Sequence, residues 1–301
     1  MIKRTICFSN PAYLSLRDGQ LVVRIEAHDE LPEQQTTIPI EDIGFVVLDH
    51  RQITITHGAL AALVANNAAV VTCDERHIPT GLLMPLESHT VQQERFRDQL
   101  EASLPLRKQL WQQTVQQKIL NQAALLHALR SEEVGNMRRW AADVRSGDSS
   151  NLEGRAAAFY WSRFFPTIPA FTRDREGAYP NNFLNYGYAI LRAVMTRALV
   201  GSGLLPTLGI HHHNRYNAYC LADDMMEPYR PYVDRLVVEV MRQCQDVEMT
   251  PNIKRLLLTI PTIDVVIGGQ RSPLMIAATQ TSASLVRCFS GESRKLIFPE
   301  M

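Results

Sequence analysis

The stretch LGIHHHNRYNAYCLADDMMEPYRPYVD, at 208–234, carries the residues best suited to chemistry. Three consecutive histidines, His211–His213, lie on a loop or a helix start, where neighbouring side chains point in different directions. At most one or two of them can therefore face a common site. Farther along, Asp224 and Glu227 share one face of a predicted helix because they lie three residues apart. Pro228 predicts a kink or break directly after Glu227.

A second candidate is the segment NLEGRAAAFYW, at 151–161. Asn151 is a typical helix N-cap, which puts Glu153 in the first helical turn. A carboxylate in that turn is commonly no more than a partner of the helix dipole. The functional alternative is that three small residues, at 156–158, allow a ligand or another helix to approach the turn that carries Glu153. The segment alone does not decide between the two.

Carboxylates and one imidazole together suit a hard divalent ion such as Mg²⁺, and also admit Mn²⁺. Three protein ligands would leave about three positions of an octahedral ion for water and phosphate oxygens, which metal-assisted phosphodiester chemistry requires. Two other interpretations stay open. Arg230 and Arg235 could neutralise Asp224 and Glu227 as plain salt bridges, and Cys220 could join the histidines in a zinc site, although no second cysteine lies nearby.

The elements that must position these residues change character near residue 90. Before it, short β-branched runs alternate with turn signals, including a hairpin around Asp18 and Gly19, and enclose one short helix. After it, apolar residues recur at spacings of three and four, which predicts amphipathic helices. The predicted helical segments are 91–130, 132–146, 151–165, 181–201 and 221–245.

This pattern predicts an α+β protein. We expect a mainly antiparallel N-terminal β domain at 1–88, followed by a larger all-α catalytic domain at 89–301. The tail from Ile267 to Met301 is weakly patterned, and we assign it no role.

The charge distribution bears on the partner. The net charge is zero, yet residues 91–215 hold 16 basic and 10 acidic side chains. This excess favours a nucleic-acid partner only modestly, because solvated helix faces produce similar excesses. No apolar run reaches the roughly 18 residues of a membrane span, and the N-terminus lacks the apolar core of a secretory signal. Five scattered cysteines form no CxxC pair. We expect a cytoplasmic protein with no membrane partner.

Three motifs together resemble one family. GIHHHNRYNAYCLADDMMEPYRPYVD, NLEGRAAAFYW and PNNFLNYGYAILRA are similar, in this family's order, to motifs of the CRISPR-associated spacer integrase, the first and most widespread of the CRISPR-associated proteins. The form looks closest to the type II version, and the resemblance covers essentially the whole chain. It implies an N-terminal β domain followed by a helical catalytic domain.

The resemblance also implies an activity and its partners. A homodimer would hold one divalent metal, Mg²⁺ or Mn²⁺, in each helical lobe. Two such dimers, bridged by a dimer of the small second CRISPR-associated protein, would form a heterohexamer, with the type II effector nuclease as a further partner. Double-stranded DNA is the implied substrate. The 3′-hydroxyls of a short fragment attack the two ends of a CRISPR repeat, so that a new spacer enters the array by transesterification.

Carried over residue by residue, the resemblance implies Glu153, His212 and Glu227 as metal ligands and catalytic residues. Asp224 would serve as a water-mediated fourth ligand or an electrostatic aid. Asn181, ahead of Gly187 and Tyr188, would order the loop and helix around the site. His211 and His213 lie outside the match, and their roles stay open.

Phosphate contacts are expected from arginines chosen by position and charge alone. They are Arg138, Arg139, Arg145, Arg155 and Arg163. Two alternatives to the integrase remain at this stage. One is a general metal-dependent DNase or RNase of DNA repair, with water as the nucleophile. The other is a non-catalytic DNA-binding scaffold whose acids and histidines merely support the helical lobe.

Overall fold

The computed structural model describes residues 3–26, 32–75, 77, 79–244 and 246–301. The strands in these ranges are Arg4–Phe8 (β1), Ala12–Arg17 (β2), Gln20–Ile25 (β3), Gln34–Pro39 (β4), Ile43–Leu48 (β5), Ile53–Ile55 (β6), Ala69–Cys73 (β7), Pro79–Leu83 (β8), Asp264–Ile267 (β9), Gln270–Pro273 (β10) and Pro299–Glu300 (β11). The α-helices are His57–Ala65 (α1), Gln92–Glu101 (α2), Leu104–Arg130 (α3), Gly135–Asp143 (α4), Leu152–Phe164 (α5), Asn181–Gly201 (α6), Cys220–Met226 (α7), Arg230–Gln243 (α8), Pro251–Leu257 (α9) and Leu274–Phe289 (α10).

Two four-stranded sheets form the N-terminal region, in the orders β1-β5-β7-β8 and β4-β3-β2-β6. The predicted hairpin is present as β2 and β3, which are joined at Asp18 and Gly19. Both residues have left-handed backbone angles, with φ of 50° and 71°. These angles match the twist that a two-residue hairpin turn needs.

The expectation of mainly antiparallel pairing needs correction. Of the six strand pairs described in these sheets, three are parallel: β1 with β5, β5 with β7, and β2 with β6. The reason is topological. The chain leaves β1 to build β2, β3 and β4 before it returns as β5, and it passes through β6 and α1 before β7. These crossovers bring successive strands back in the same direction.

The sheet that contains β5 is buried on both faces. Phe45 and Val47 on β5 join the helical core, whereas Ile43 and Val46 belong to a separate core with the second sheet. Burial on both faces explains the continuous apolar run of β5, since a strand with one solvated face would alternate. The sheet that contains β5 therefore packs against the helical region on one face and against the second sheet on the other.

The helical region is arranged around α3 and α6, of 27 and 21 residues. The predicted segment 181–201 matches α6 in both bounds. The predicted segment 91–130 is instead two helices, because the hydroxyl of Ser103 caps α3 and Pro105 occupies its first turn. The break predicted at Pro228 is a 3₁₀ turn, Glu227–Tyr229, between α7 and α8.

The C-terminal part is not all-α. β10, β9 and β11 form a small antiparallel sheet, and the tail to which no role was assigned contains the 16-residue helix α10. These strands have four residues at most, too few for a clear alternation. The buried face of α10 includes Thr281, Ser282 and Ser284, which hide its apolar periodicity. Among the described residues, no helix is both long and apolar enough to span a membrane.

Candidate active site

Glu153 lies at the start of α5, whose first turn is satisfied by other residues. The side chain of Asn151 accepts a hydrogen bond from the Gly154 N–H at 3.2 Å. The carboxylate of Asp148 accepts from the N–H groups of Leu152 and Glu153, at 2.9 and 3.0 Å. The predicted N-cap is therefore confirmed. Because these two side chains already cap the helix, the Glu153 carboxylate is available for contacts outside α5.

A tight turn before α7 is built around the carboxylate of Asp224. Its Oδ2 accepts from the N–H groups of Ile210 and His211, at 2.7 and 3.0 Å. Its Oδ1 accepts from the N–H of His212 at 3.3 Å. Gly209 is required here, since a Cβ would collide with the carbonyl oxygen of His212 and lie 2.8 Å from Asp224 Oδ2. Asp224 is fully buried, and its carboxylate stabilises this turn by accepting hydrogen bonds from three consecutive backbone N–H groups.

The three histidines separate, as expected of consecutive residues. His212 Nδ1 lies 2.5 Å from Asp224 Oδ1, and this hydrogen bond raises the pKa of His212 against the opposing effect of burial. The His211 ring stacks on Trp111 of α3, with centroids 4.1 Å apart, and burial lowers the pKa of His211. His213 is exposed. With Nδ1 held by Asp224, His212 has only Nε2 free to bind another group.

Lys118 of α3 lies between the two glutamates. Its Nζ is 2.6 Å from Glu153 Oε1 and 2.6 Å from Glu227 Oε2. The guanidinium of Arg230 contacts the other oxygen of Glu227, Oε1, at 2.9 Å. The plain salt-bridge interpretation therefore holds for Arg230, whereas Arg235 pairs with Glu239 at 3.8 Å.

The charged groups around Lys118 shift one another's pKa values. Burial alone would raise the pKa of Glu227, but Arg230 and Lys118 lower it to about 2. Burial alone would lower the pKa of Lys118, but Glu227 and Glu153 outweigh it, and the net shift is upward. Both glutamates also help to raise the pKa of His212, so the imidazole lies within their electrostatic reach. At neutral pH Glu227 is therefore ionised and Lys118 is protonated.

The predicted ligands are brought into one region but not into a closed coordination shell. Among the described residues, no three or more His, Cys, Asp or Glu side chains are grouped closely enough to hold a metal ion. The ammonium of Lys118 occupies the space between the two glutamates. Glu227 Oε2 is buried and, despite the short distance to Lys118, accepts no hydrogen bond of normal geometry from the described residues.

Asn181 and Tyr188, both on α6, support the surroundings of the site. Asn181 Oδ1 accepts from the Asp174 N–H at 3.0 Å, and its Nδ2 donates to the Thr172 carbonyl at 3.0 Å. Asn181 thus fastens the loop that precedes α6. The Tyr188 hydroxyl donates to Asp234 Oδ1 at 2.5 Å, and its ring lies under Arg230 with a 4.6 Å separation. Tyr188 thereby fixes the guanidinium that contacts Glu227.

The five arginines chosen for phosphate contacts lie in one part of the chain, on α4, on α5 and in the loop between them. The structure leaves Arg138, Arg139, Arg145 and Arg155 exposed. Arg155 packs over the Trp140 ring at 4.6 Å. Arg163 is half-buried over the ring of Phe159 and faces Glu132 at 3.7 Å.

Sequence reasoning missed Lys118 and Trp111. The two residues lie seven apart on α3, and therefore two turns apart on one face, which also includes buried Thr114 and Asn121. A lysine on the buried face of a helix is unusual without an anionic partner. The position of Lys118 in the buried face of α3 was the sequence feature that could have identified it.

Comparisons with known proteins identify the class of this chain. The family model for CRISPR associated protein Cas1 matches residues 6–262. A CRISPR-associated endonuclease Cas1 of Neisseria meningitidis is 36% identical over 309 residues, covering 100% of this chain and 97% of the relative. A second relative, CRISPR-associated endonuclease Cas1 2 of Pyrobaculum aerophilum, is 28% identical over 78% of this chain and 81% of its own length. The chain belongs to the Cas1 family of CRISPR-associated proteins.

Solved structures share the fold. A casposase bound to its integration product superposes with a TM-score of 0.79 at 19% identity, over 98% of this chain and 92% of that one. A CAS1 protein from Thermotoga maritima gives a TM-score of 0.72 at 15% identity, over 96% and 97% of the two chains. The family model and the Neisseria relative confirm the predicted family and the prediction of a CRISPR-associated endonuclease. The solved structures confirm the α+β fold class. The comparisons do not favour a general repair nuclease or a non-catalytic scaffold.

Proposed function

We propose that the chain joins the 3′-hydroxyl ends of a short DNA fragment to a CRISPR repeat, with Glu153, His212 and Glu227 as the ligands of a catalytic divalent metal. The observation that carries this proposal is the convergence of Glu153 and Glu227 on one positive charge, at 2.6 Å each. Carboxylates 74 positions apart in the chain would repel each other without such a charge between them.

The donor set fits Mg²⁺ or Mn²⁺. Two carboxylates and one neutral imidazole nitrogen match the ligand preferences of these ions. The orphaned oxygen of Glu227 is directed into the cluster without a normal hydrogen bond. The bond from His212 to Asp224 is the carboxylate–histidine arrangement that fixes a ligand imidazole. Asp224 therefore supports the site as an orienting residue rather than as a fourth ligand.

Each residue of the site would have a distinct role. Glu153, His212 and Glu227 would hold the metal, which supplies Lewis-acid stabilisation of charge on the scissile phosphate. Asp224 would keep His212 Nε2 directed at the site, and Arg230 would keep Glu227 ionised. The exposed arginines at 138, 139, 145 and 155, together with Arg163, would bind the DNA backbone.

The proposal includes partners that the motif resemblance supports. The chain would act as a homodimer, in a heterohexamer with the small second CRISPR-associated protein, on double-stranded DNA in the cytoplasm, and with the type II effector nuclease as an additional partner. A similar fold, with a TM-score of 0.75 at 18% identity, occurs in a structure titled Cas6-RT-Cas1--Cas2 complex. Light scattering of the chain alone, and of its mixture with the small protein, tests these two assemblies.

The activity is tested with a supercoiled plasmid that carries a CRISPR repeat, a short duplex with free 3′-hydroxyls, Mn²⁺ or Mg²⁺, and the small partner protein. The wild-type chain should produce joined strands. Glu153→Ala, His212→Ala and Glu227→Ala should abolish joining while they retain most of the DNA affinity. Glu239→Ala, an exposed acid on α8, is the matched control and should join normally.

The product separates the possible outcomes. Cleaved fragments without joined strands would instead identify a nuclease that uses water. Normal joining by all three site variants would refute the assignment of the ligands.

A further inference from the structure

We propose that Lys118 is an internal cation that competes with the divalent metal for Glu153 and Glu227, so that metal binding must displace its ammonium group. This inference rests on the proposed function. It starts from the two equal contacts of 2.6 Å that Lys118 Nζ makes with Glu153 Oε1 and Glu227 Oε2. The Lys118 side chain is only 11% exposed, so these contacts are not those of a solvated surface pair.

The two cations would compete for the same two carboxylates. Glu153 and Glu227 would each offer the metal a carboxylate oxygen, and in this structure one oxygen of each faces the ammonium of Lys118. An ammonium left beside a bound divalent cation would repel it inside a buried cluster, where charge repulsion is poorly screened.

The charge balance leads to the same conclusion. Glu153 and Glu227 carry two negative charges, and Lys118 and Arg230 carry two positive charges, so these four groups are neutral together. Asp224, bound to His212, adds one negative charge, so the five groups together carry a net charge of minus one. A divalent ion added to them would leave an excess of one positive charge. Withdrawal of Lys118 removes that excess.

Lys118 rather than Arg230 is the cation that can leave. Arg230 contacts only the far oxygen of Glu227 and is packed over the Tyr188 ring at 4.6 Å. Lys118 touches both glutamates through a single nitrogen at the end of a flexible four-carbon chain. Lys118 would therefore hold the carboxylates together before the metal arrives and lower the apparent metal affinity.

The test is calorimetric titration of Mn²⁺ into the purified chain at one fixed pH, together with thermal unfolding with and without Mn²⁺. In Lys118→Met, Mn²⁺ should bind about tenfold or more tightly than in wild type. The metal-free variant should unfold at a lower temperature, since Glu153 and Glu227 both lose the ammonium contact and Glu227 keeps only Arg230. Mn²⁺ should raise the unfolding temperature of the variant by more than it raises that of wild type. Both readouts are independent of catalytic activity.

Two further variants are controls. Lys108→Met removes an exposed lysine from the same helix and should leave the Mn²⁺ affinity unchanged. Glu227→Gln removes a proposed ligand and should abolish binding.

The outcomes separate the two proposals. If Glu227→Gln abolishes binding but Lys118→Met binds Mn²⁺ no more tightly than wild type, the competition is refuted and the metal site stands. If wild type itself binds no Mn²⁺, the proposed function fails, and the competition fails with it.

Discussion

Replacement of Asp224 by asparagine tests how the site is held together. Asp224 Oδ2 accepts from two backbone N–H groups, and Oδ1 accepts from the N–H and the Nδ1 of His212. In Asp224→Asn, one of these oxygens becomes an NH₂ group, which cannot accept. If the NH₂ takes the place of Oδ2, the N–H groups of Ile210 and His211 lose their acceptor. If it takes the place of Oδ1, the N–H of His212 loses its acceptor, and the imidazole must change tautomer to accept at Nδ1, which puts its proton on Nε2.

The magnitude follows from these four contacts. A hydrogen bond to a charged group contributes about 1.5–3 kcal/mol, and a buried donor left unpaired costs about 1–3 kcal/mol. Because neighbouring contacts are not additive, we expect a loss of roughly 2–5 kcal/mol in the free energy of unfolding. The effect on metal binding should be smaller than the loss of a ligand. Removal of a group that orients a ligand typically weakens metal affinity about 10–100-fold.

The assay combines denaturant unfolding with Mn²⁺ titration. Asp223→Asn is the matched control, since it makes the same change at the adjacent residue. Asp223 pairs with Arg192 at 2.6 Å and with Asn217 at 2.7 Å, away from His212. This control should lose stability while it keeps the metal affinity of wild type.

Two results would refute the reasoning. Wild-type stability and Mn²⁺ affinity in Asp224→Asn would show that the carboxylate does not hold the turn or the imidazole. Complete loss of Mn²⁺ binding, as expected for Glu227→Gln, would show that Asp224 is itself a ligand.

Three further predictions concern stability and DNA binding. Lys254→Met leaves the buried carboxylate of Asp49 without its 2.9 Å ammonium partner and should lower the free energy of unfolding in urea by about 3–5 kcal/mol. The double variant Asp49→Leu with Lys254→Met should recover most of that stability, and a double variant as unstable as Lys254→Met would contradict the argument. Burial raises the pKa of Asp234 from 3.8 to about 6. The protonated carboxyl of Asp234 therefore stabilises the folded state fully below about pH 4, and this stabilisation is lost as the pH rises through about 6. The free energy of unfolding of wild type, relative to Asp234→Asn, should therefore fall by on the order of 3 kcal/mol between pH 4 and 7, and equal pH profiles would contradict it. Arg145→Gln should weaken DNA binding and reduce the slope of log affinity against log salt by about 0.9, whereas an unchanged slope would remove Arg145 from the interface.

Local features of the fold could be predicted from the sequence. The Asp18–Gly19 hairpin, the bounds of α6 and the break at Pro228 all depend on residues within one or two turns of each other. Strand direction and the C-terminal sheet could not be predicted. Parallel and antiparallel strands have similar local composition, and the strands of that sheet are too short to show alternation.

Some features of the candidate site could likewise be predicted from the residues alone, and others could not. The residues alone indicated a cation site near Asp224 and Glu227 and left Glu153 undecided. The family motifs, rather than spacing, selected His212 from three adjacent histidines and joined Glu153 to the set. Metal binding by these residues stays a prediction.

The sequence by itself determined the family, the helical frame and the residues able to carry charge chemistry, because each is written in local pattern or motif. Only the tertiary structure decided which of those charges meet. Lys118 lies 35 positions from Glu153 and 109 from Glu227, yet its nitrogen contacts both. Helical periodicity shows which face of α3 is buried, but the partners on that face depend on how distant helices pack. Asp224 likewise became an orienting residue only when the turn at residues 210–212 closed around it.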